Sequence, residues 1–502
     1  MERMNVWNTY DLKTKKACYA FAEEYRQFLS SNKTERECVD TFVNEAEAAG
    51  FIELSRAIEE KRPLKPGDGV YQVWMNKSIV LFRIGKEAME NGLNILGAHI
   101  DSPRMDVKQN PVYESDGYAY FDTHYYGGIK KYQFVALPLS LHGVVVKKSG
   151  ETVILNVGED EDDPVFFVSD LLIHLAQDQM QKTAATVIAG AALDLIVGNQ
   201  PIIIDSETKP EKLAGADWSQ VKEEASKSEP SEKEASKEGA AGAAKEAVKA
   251  ALLEILKRDY GIEEDDFASA ELEIVPAGKA RDAGFDRSMI LGYGQDDRVC
   301  AYPSFRAIIE TKKPARTSVC LLVDKEEIGS VGATGMQSHF FENALAEVLN
   351  LAGQYSDLAL RRTLANSCML SSDVSSAYDP HWAECFETRN TAHLGKGMVF
   401  NKFTGSRGKS GSNDANAEYI AHLRGIFDKA GVTTQTAELG KVDVGGGGTI
   451  AYILALYGMN VIDSGVPVLN MHAPFEATSK ADIYEAYRGY KAFLKDASMR
   501  QG

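Results

Sequence analysis

Residues 94–101 read NILGAHID, an apolar run that ends in His99 and Asp101. A short apolar run of this length favours a buried β-strand, so both polar side chains would lie at the end of that strand. Four other apolar runs end in acidic residues or histidine: GYGQDDR, CLLVDKEEIG, CMLSSD and PVLNMH. Binding sites in open α/β sheets form outside the carboxyl ends of the strands. We therefore expect the polar ends of these five runs to converge on one crevice.

The order of elements around this stretch indicates a chain in two parts. After about Gly292, strand-like and helix-like segments alternate, as in TSVCLLVD and HFFENALAEVLNLAGQY, which is typical of a doubly wound sheet. Between Asp106 and Lys148, short alternating runs such as YAYFDTHYYGG favour antiparallel strands instead. The sequence therefore predicts an α/β fold with a doubly wound mixed sheet, interrupted by a β-rich insert. The expected boundaries are residues 1–106 and 279–502 for the α/β part and residues 107–278 for the insert.

Local patterns predict several individual elements. Thr34 and Glu37 have the spacing of a capping box at the start of a helix. The segments YQVWMN and SIVLFRIG favour a β-hairpin. Within the insert, SDLLIHLAQDQM contains His174 and has the pattern of an amphipathic helix. Residues 222–246 form a charged, low-complexity stretch with few apolar anchors, so we expect a surface insertion there.

Composition narrows the class of protein. The 502-residue chain carries a formal net charge of −18, which argues against nucleic acid or an anionic membrane as the main partner. The N-terminus lacks the apolar core of a secretory signal, and no run of about 18 apolar residues predicts a membrane span. The six cysteines are scattered and form no C-x-x-C pair. Buried free thiols in a reducing compartment fit this pattern, so we expect a cytoplasmic protein.

The residue types at the five run ends suit a centre of two divalent metal ions. The imidazoles of His99 and His472 are ligands that zinc or cobalt accepts. The carboxylate of Asp296 can bridge two cations about 3.5–4 Å apart. Asp373 would complete one ligand set and Glu327 the other. A single histidine or aspartate at a strand end is more often a cap or a turn residue, so the joint arrangement carries this prediction.

Two further carboxylates fit supporting roles. Successive residues in extended or loop backbone point in opposite directions, so Glu327 could bind an ion while Glu326 takes a proton from the attacking water. Asp101, two residues after His99, could accept the other ring N–H of that histidine and so fix its orientation. The sequence thus predicts a hydrolase that uses two divalent ions, with zinc expected and cobalt or manganese as alternatives.

Several of these motifs together resemble one known family. GAHIDSPR, the DD after GYGQ, DKEEIGSVGATG, SSDVSSAYDP and NMHAPFE are similar to the metal-binding motifs of the aspartyl aminopeptidase and vacuolar aminopeptidase I family of zinc peptidases. Their order and spacing match across nearly the whole chain. The resemblance implies a zinc-binding α/β catalytic domain, an inserted β-rich dimerisation domain and a tetrahedral assembly of twelve subunits. It also implies release of an unblocked N-terminal residue from peptides.

The resemblance also implies a role for each matching residue. Glu326 would be the general base, Asp101 would support a metal ligand, and a cis peptide bond would join Asp296 to Asp297. The implied metal ligands are His99, Asp296, Glu327, Asp373 and His472.

On the substrate side this chain departs from the family pattern. Members that prefer acidic N-terminal residues carry a basic side chain in the strand and loop that match GMVFNKFTGSRG. Here Asn401 occupies that place, with Lys402 one residue out of register and Arg407 nearby. Lys402 and Arg407 are therefore candidate substrate-binding residues. His174 resembles a histidine that reaches a neighbouring subunit's active site; the alternative is a histidine on the polar face of an amphipathic helix.

These features predict a two-metal aminopeptidase that acts on peptides with a free N-terminus, by attack of a metal-bound water with Glu326 as general base. A metal-dependent carboxypeptidase or N-deacylase on the same metal core is the alternative. It would need a group that holds a substrate carboxylate or acyl chain, and no arginine stands in an evident motif for that. A non-catalytic protein of this fold would be expected to have lost ligands or the base, and every one is present here.

Overall fold

The computed structural model describes residues 4–201 and 246–499. Within these ranges twenty strands form three sheets of nine, six and five strands. The low-complexity insertion expected at residues 222–246 lies outside the described residues, except for Glu246.

A nine-stranded mixed sheet forms the α/β part of the protein. Its four central strands, β13, β4, β14 and β18, run parallel, so their carboxyl ends share one edge. The hairpin predicted from YQVWMN and SIVLFRIG is confirmed as the antiparallel pair β2–β3. In spatial order the strands are β1 (Phe51–Glu53), β2 (Gly69–Trp74), β3 (Ser78–Arg83), β13 (Ser318–Val323), β4 (Asn94–His99), β14 (Cys368–Ser371), β18 (Asn460–Gly465), β16 (Met398–Asn401) and β17 (Thr434–Ala437).

Hydrophobic clusters cover both faces of this sheet, which explains why its central strands are apolar along their whole length. Ile95 packs into the cluster on one face, and the next residue, Leu96, packs into the cluster on the other. Val319 and Cys320 of β13 alternate in the same way. The prediction of a doubly wound, mixed α/β fold is therefore confirmed. The α-helices of the described residues are α1 (Leu12–Ser31), α2 (Glu35–Ala48), α3 (Leu54–Glu59), α4 (Ala247–Tyr260), α5 (Gln295–Glu310), α6 (Phe340–Leu351), α7 (Asp357–Ala365), α8 (Ala417–Ala430), α9 (Ala451–Ala455) and α10 (Lys480–Asp496).

A six-stranded sheet, which we call the insert sheet, forms the β-rich insert around a hydrophobic cluster of its own. All of its strand pairs are antiparallel, as the alternating runs predicted. The β-rich insert within the α/β fold is thereby confirmed. In spatial order its strands are β8 (Thr152–Val157), β7 (Leu139–Val146), β10 (Ala270–Pro276), β5 (Arg104–Ser115), β6 (Tyr118–Tyr126) and β9 (Leu195–Gly198).

A five-stranded sheet, which was not foreseen from the sequence, carries some of the polar strand ends that were expected to converge on one crevice. Asp296 follows its strand β12, His472 follows β19, and Glu476 begins β20. Candidate site residues therefore come from the ends of strands in two sheets. In spatial order the strands are β11 (Arg281–Ala283), β12 (Met289–Gly292), β20 (Glu476–Ser479), β19 (Pro467–Leu469) and β15 (Ser375–Ser376).

Two local predictions had opposite outcomes. The capping box at Thr34 and Glu37 is confirmed, with both reciprocal hydrogen bonds present at the start of α2. The amphipathic helix predicted for SDLLIHLAQDQM is wrong, because the segment contains only two short 3-10 turns, Ile173–Leu175 and the start of Gln179–Gln181. Leu172, Ile173 and Leu175 are exposed. A short helix is marginal unless its apolar face is buried, and this one has no covering surface within the described chain.

Two expectations from composition remain: free cysteines and no membrane-spanning segment. All six cysteines are free, and five are buried, whereas Cys385 is exposed. Among the described helices, none combines the length and the apolar character needed to span a bilayer.

Candidate metal centre

The carboxyl edge of the central sheet positions one half of the candidate centre. His99 is the last residue of β4 and pairs in register with Val323, the last residue of β13. Asp373 follows β14 on the other side of β4. His99 is 1% exposed, so its imidazole lies at the bottom of the crevice rather than on the surface. The parallel direction of these strands is what brings their polar ends together.

Asp296 occupies the middle of the centre, between the two histidines. Its Oδ1 lies 3.2 Å from Nε2 of His99 and its Oδ2 lies 3.2 Å from Nε2 of His472. Asp296 and Asp297 are joined by a cis peptide bond at the start of α5, as the resemblance implied. One carboxylate therefore faces two imidazole nitrogens, one with each oxygen.

Two sets of three side chains, with Asp296 in both, could each hold a cation. In each set the ligand atoms lie within 4.8 Å of one another. The buried Oε1 of Glu327 has no hydrogen-bond partner among the described residues, which leaves it available to a metal ion. Carboxylate and imidazole donors in this number fit zinc. The sets are His99 with Asp296 and Asp373, and His472 with Asp296 and Glu327.

The electrostatics of the centre are those of crowded, buried carboxylates. Burial, with the neighbouring charges of Asp101 and Asp296 added, raises the pKa of Glu326 to about 7. Burial and nearby carboxylates also hold the pKa of Glu327 and of Asp373 well above the usual range. Burial works against ionisation of Asp296 too, but hydrogen bonds from the two imidazoles outweigh it and lower its pKa. Such a cluster of carboxylates is favourable only beside positive charge.

The acidic pair Glu326-Glu327 lies in a tight turn, whereas the sequence argument assumed side chains that point in opposite directions along an extended or loop backbone. The residues begin a 3-10 turn, Glu326–Ile328, that follows Lys325 in the left-handed region at φ 69°. Successive side chains of a 3-10 turn are separated by about 120° rather than 180°. Both carboxylates therefore face the centre, with Glu326 Oε2 4.0 Å from His99 Nε2 and Glu327 Oε2 3.5 Å from His472 Nε2.

Asp101 lies beneath this turn and is fully buried. Its Oδ1 is 3.2 Å from Nδ1 of His99, and the backbone carbonyl of Asp101 is 3.1 Å from the same nitrogen. The same carboxylate accepts hydrogen bonds from the backbone amides of Glu326 and Glu327, both at 3.2 Å. The contact of Asp101 with the ring of His99 was expected from the sequence. Its hydrogen bonds to the turn that carries Glu326 and Glu327 were not.

Glu476 is a further residue of the centre that sequence reasoning missed. Its Oε1 accepts a hydrogen bond from the backbone N–H of His472 at 2.8 Å, and its Oε2 accepts one from the backbone N–H of Asp296 at 3.0 Å. One buried carboxylate thus ties together two chain segments about 180 residues apart. The available signal was the acidic residue that ends the motif NMHAPFE.

Replacing Glu476 by alanine should weaken zinc binding by about 10- to 100-fold, because the backbones of Asp296 and His472 lose their common acceptor. Each buried N–H left without an acceptor should also lower the free energy of unfolding by about 1–3 kcal/mol. Competition with a chromogenic chelator measures the first effect and thermal unfolding of the apoprotein the second. Glu418→Ala, on the exposed surface of α8, is the control. Zinc affinity within twofold of the unmodified protein would contradict the role of Glu476.

A cavity of about 470 Å³ opens onto the centre. Besides Asp296, Glu326, Glu327, Asp373 and His472, its wall contains uncharged residues from several loops. Among the described residues, no lysine or arginine lines it. The uncharged side chains of the wall are Val374, Asn401, Thr404, Leu439, Thr449 and Met471, with backbone from Gly446, Gly447 and Gly448.

The three candidate substrate residues do not lie in this cavity. Lys402 pairs with Asp414 on the exposed surface, and its side chain is 48% exposed. Arg407 lines a different, smaller cavity. His174 is exposed on the insert, in the 3-10 turn described above. Asn401, the last residue of β16, is by contrast buried and lines the cavity, whereas Lys402 lies just beyond the end of the strand.

Comparison with known proteins agrees with this geometry over the whole chain. The family model described as aminopeptidase I zinc metalloprotease (M18) matches residues 28–494. A probable M18 family aminopeptidase 1 of Clostridium acetobutylicum is 53% identical over 495 residues, covering 99% of this chain and 98% of that protein. The crystal structure of an M18 aminopeptidase from Thermotoga maritima superposes with a TM-score of 0.86 at 39% identity, covering 99% of each chain.

A more distant structure shares the fold alone. The S. cerevisiae mApe1 dodecamer matches with a TM-score of 0.70 at 19% identity, covering 94% of this chain and 95% of that one. The family match and the relatives above 30% identity confirm the resemblance that the motifs indicated. The chain therefore belongs to the aminopeptidase I zinc metalloprotease (M18) family and is a metallo-aminopeptidase.

Proposed function

We propose that this enzyme uses two divalent ions per subunit and a glutamate base, Glu326, to release the N-terminal residue of peptides. The observation that carries the proposal is the position of Asp296, which offers one carboxylate oxygen toward each of two imidazoles at 3.2 Å. A carboxylate shared in this way is the arrangement that two-metal hydrolases use.

The proposed ligand sets follow from the two groups that share Asp296. One ion would be held by His99 and Asp373 with Asp296, and the other by Glu327 and His472 with Asp296. Zinc fits these donors and the description of the family, with cobalt or manganese as alternatives. When bound, the ions would lower the pKa of a water molecule and polarise the scissile carbonyl.

Glu326 is the proposed base because its carboxylate faces the cavity beside His99 without being needed by either ligand set. It takes the proton from the attacking water and transfers it to the leaving amine. Asp101 holds the amide of Glu326 at 3.2 Å and so keeps the base in place. The free α-amino group of the substrate binds among the carboxylates of the centre, which restricts cleavage to the first peptide bond.

We also propose boundaries and an assembly for the chain. Residues 107–278 form a dimerisation domain inserted between residues 1–106 and 279–502, a division that the separate hydrophobic cluster of the insert sheet supports. The chain assembles into a homo-oligomer, proposed as a dodecamer because the S. cerevisiae mApe1 structure is one, and with the tetrahedral arrangement that the motif resemblance implies. The exposed apolar side chains around His174 suit an interface with another copy, where His174 would approach that copy's centre. Free buried thiols suit the cytoplasm.

Hydrolysis of aminoacyl chromogenic substrates, with and without a chelator, tests the proposed reaction. Cleavage of substrates with a free amine, lost on chelation and restored by zinc, is the expected result. N-acetylated substrates should remain intact, since they lack the charged amine that the carboxylates bind. Release of a C-terminal residue, or cleavage only of acylated amines, would instead favour the carboxypeptidase or N-deacylase alternative on the same metal core.

The same panel should show a preference for neutral first residues over acidic ones. An aspartyl side chain would enter a cavity with no lysine or arginine in its described wall, and a buried carboxylate without a partner is costly. We expect kcat/KM for leucyl or methionyl substrates to exceed that for aspartyl substrates by about tenfold or more, which corresponds to about 1.4 kcal/mol. Lys402→Ala and Arg407→Ala should leave this ratio unchanged. An aspartyl preference that either variant abolishes would contradict the prediction.

A further inference from the structure

The insert sheet contributes directly to the surroundings of the metal centre. Tyr126, the last residue of β6, donates a hydrogen bond from its hydroxyl to Oδ2 of Asp101 at 2.8 Å. Two residues later, the backbone carbonyl of Gly128 lies 3.0 Å from Nδ1 of His472. The α/β part supplies the proposed ligands, and the insert supplies contacts to the groups behind them.

Asp101 is the point at which these contacts meet. One of its oxygens faces the ring of His99 and accepts the amide of Glu326. The other oxygen accepts the amide of Glu327 and the hydroxyl of Tyr126. Three of these four contacts come from His99 and the glutamate turn, the groups that Asp101 supports. Among the described residues, the hydroxyl of Tyr126 makes the one side-chain hydrogen bond to this carboxylate from outside that group.

The ring of Tyr126 is itself held in place. The guanidinium of Arg104 lies over it, 4.1 Å from the ring centroid. Arg104 is buried and pairs with Asp106 at 2.8 Å, with Glu273 at 3.1 Å and with Glu35 of α2 at 3.3 Å. These contacts connect β5, β10 and α2, so the tyrosine stands on a rigid support shared by the insert sheet and the α/β part.

We propose that Tyr126 is a positioning residue, through which the insert sheet sets the orientation of Asp101 and thereby the placement of Glu326. This inference rests on the proposed role of Glu326 as the base. Without the hydroxyl, the Asp101 carboxylate loses its outside anchor and the turn that carries Glu326 loses its fixed acceptor. Partners of this kind typically contribute about 10- to 100-fold to activity or metal affinity. Tyr126 does not line the substrate cavity, so KM should change little.

Tyr126→Phe tests the inference, because it removes the hydroxyl and keeps the ring under Arg104. The matched control is Tyr113→Phe on β5, which removes a tyrosine–carboxylate hydrogen bond of the same kind, from Tyr113 to Asp194 at 2.6 Å. With saturating zinc and a leucyl substrate, we expect kcat of Tyr126→Phe to fall about 10- to 100-fold while KM stays within twofold. Tyr113→Phe should keep normal kcat. Both variants should unfold at the same temperature within a few degrees.

Three results would overturn the inference. They are a kcat of Tyr126→Phe within twofold of the unmodified enzyme, an equal loss in Tyr113→Phe, and a loss of zinc affinity with normal kcat at saturating zinc. The last result would mean that the tyrosine supports His99 rather than Glu326. Measuring Glu326→Ala alongside separates the two proposals. If that variant stays active, the proposed base is wrong; if it is inactive while Tyr126→Phe is normal, only the positioning role fails.

Discussion

Replacing Glu326 by alanine is expected to lower kcat by between about 10²- and 10⁴-fold, the usual contribution of a general base. The zinc content should stay unchanged, because neither of the two ligand sets that share Asp296 includes Glu326. Glu326 faces the cavity at a position where a carboxylate can reach a water molecule and then the leaving amine. The measurement is kcat with a leucyl substrate, together with zinc content determined by atomic spectroscopy.

The adjacent glutamate provides the control for this experiment. Glu327→Ala should lose one of the two ions as well as activity, since Glu327 belongs to the ligand set of His472. Glu326→Gln should be as inactive as Glu326→Ala, because the amide cannot accept the proton. Near-normal turnover in both Glu326 variants would refute its role as base. Loss of zinc in Glu326→Ala would make it a ligand instead, in the group that it forms with His99 and Glu327.

Replacing Asp296 by alanine is expected to remove both ions, whereas replacing His99 should remove one. Asp296 belongs to both ligand sets and His99 to one of them. The unmodified enzyme should bind two ions per subunit, the Asp296 variant close to none and the His99 variant one, after dialysis against a weak chelator. Activity should fall below detection in both variants. Loss of either ion would remove its activation of the water molecule and its polarisation of the scissile carbonyl.

The zinc content per subunit decides this prediction. Circular dichroism should first confirm that each variant is folded. Ser376→Ala in β15 serves as a control on a nearby strand outside both ligand sets. Two ions retained in both variants would contradict the proposed ligand sets. Loss of a single ion from the Asp296 variant would show that this carboxylate binds one metal and does not bridge two.

The residues that meet at the candidate centre were largely predictable because their positions depend on local patterns. Apolar runs bury their strands, and a polar residue at the end of such a run lies at the sheet edge. His99, Asp296, Glu327, Asp373 and His472 were each identified in this way, and the structure brings them together. The capping box of Thr34 and the hairpin β2–β3 are equally local, and both are confirmed.

Expectations that depended on what an element packs against differ from the structure. The segment SDLLIHLAQDQM has the apolar spacing of an amphipathic helix, but no surface of the described chain buries its apolar side chains, and the helix does not form. Lys402 is next to a pocket residue in sequence, but it lies just beyond the end of β16 and its side chain pairs with Asp414 on the exposed surface. Glu326 and Glu327 were expected to point in opposite directions, but the 3-10 turn that follows Lys325 brings both carboxylates to the centre.

The sequence by itself therefore determined the α/β class, the β-rich insert, the family and the residues of the centre, because hydrophobic period and motif spacing are properties of short segments. Only the tertiary structure showed that Asp296 faces both histidines, that Glu476 joins two distant backbones, and that Tyr126 reaches Asp101 from another sheet. Apart from Glu476 with His472, which are 4 positions apart, these contacts join residues between 25 and about 200 positions apart, and their geometry comes from how whole sheets pack. No local pattern encodes that packing, so no reading of separate segments could supply it.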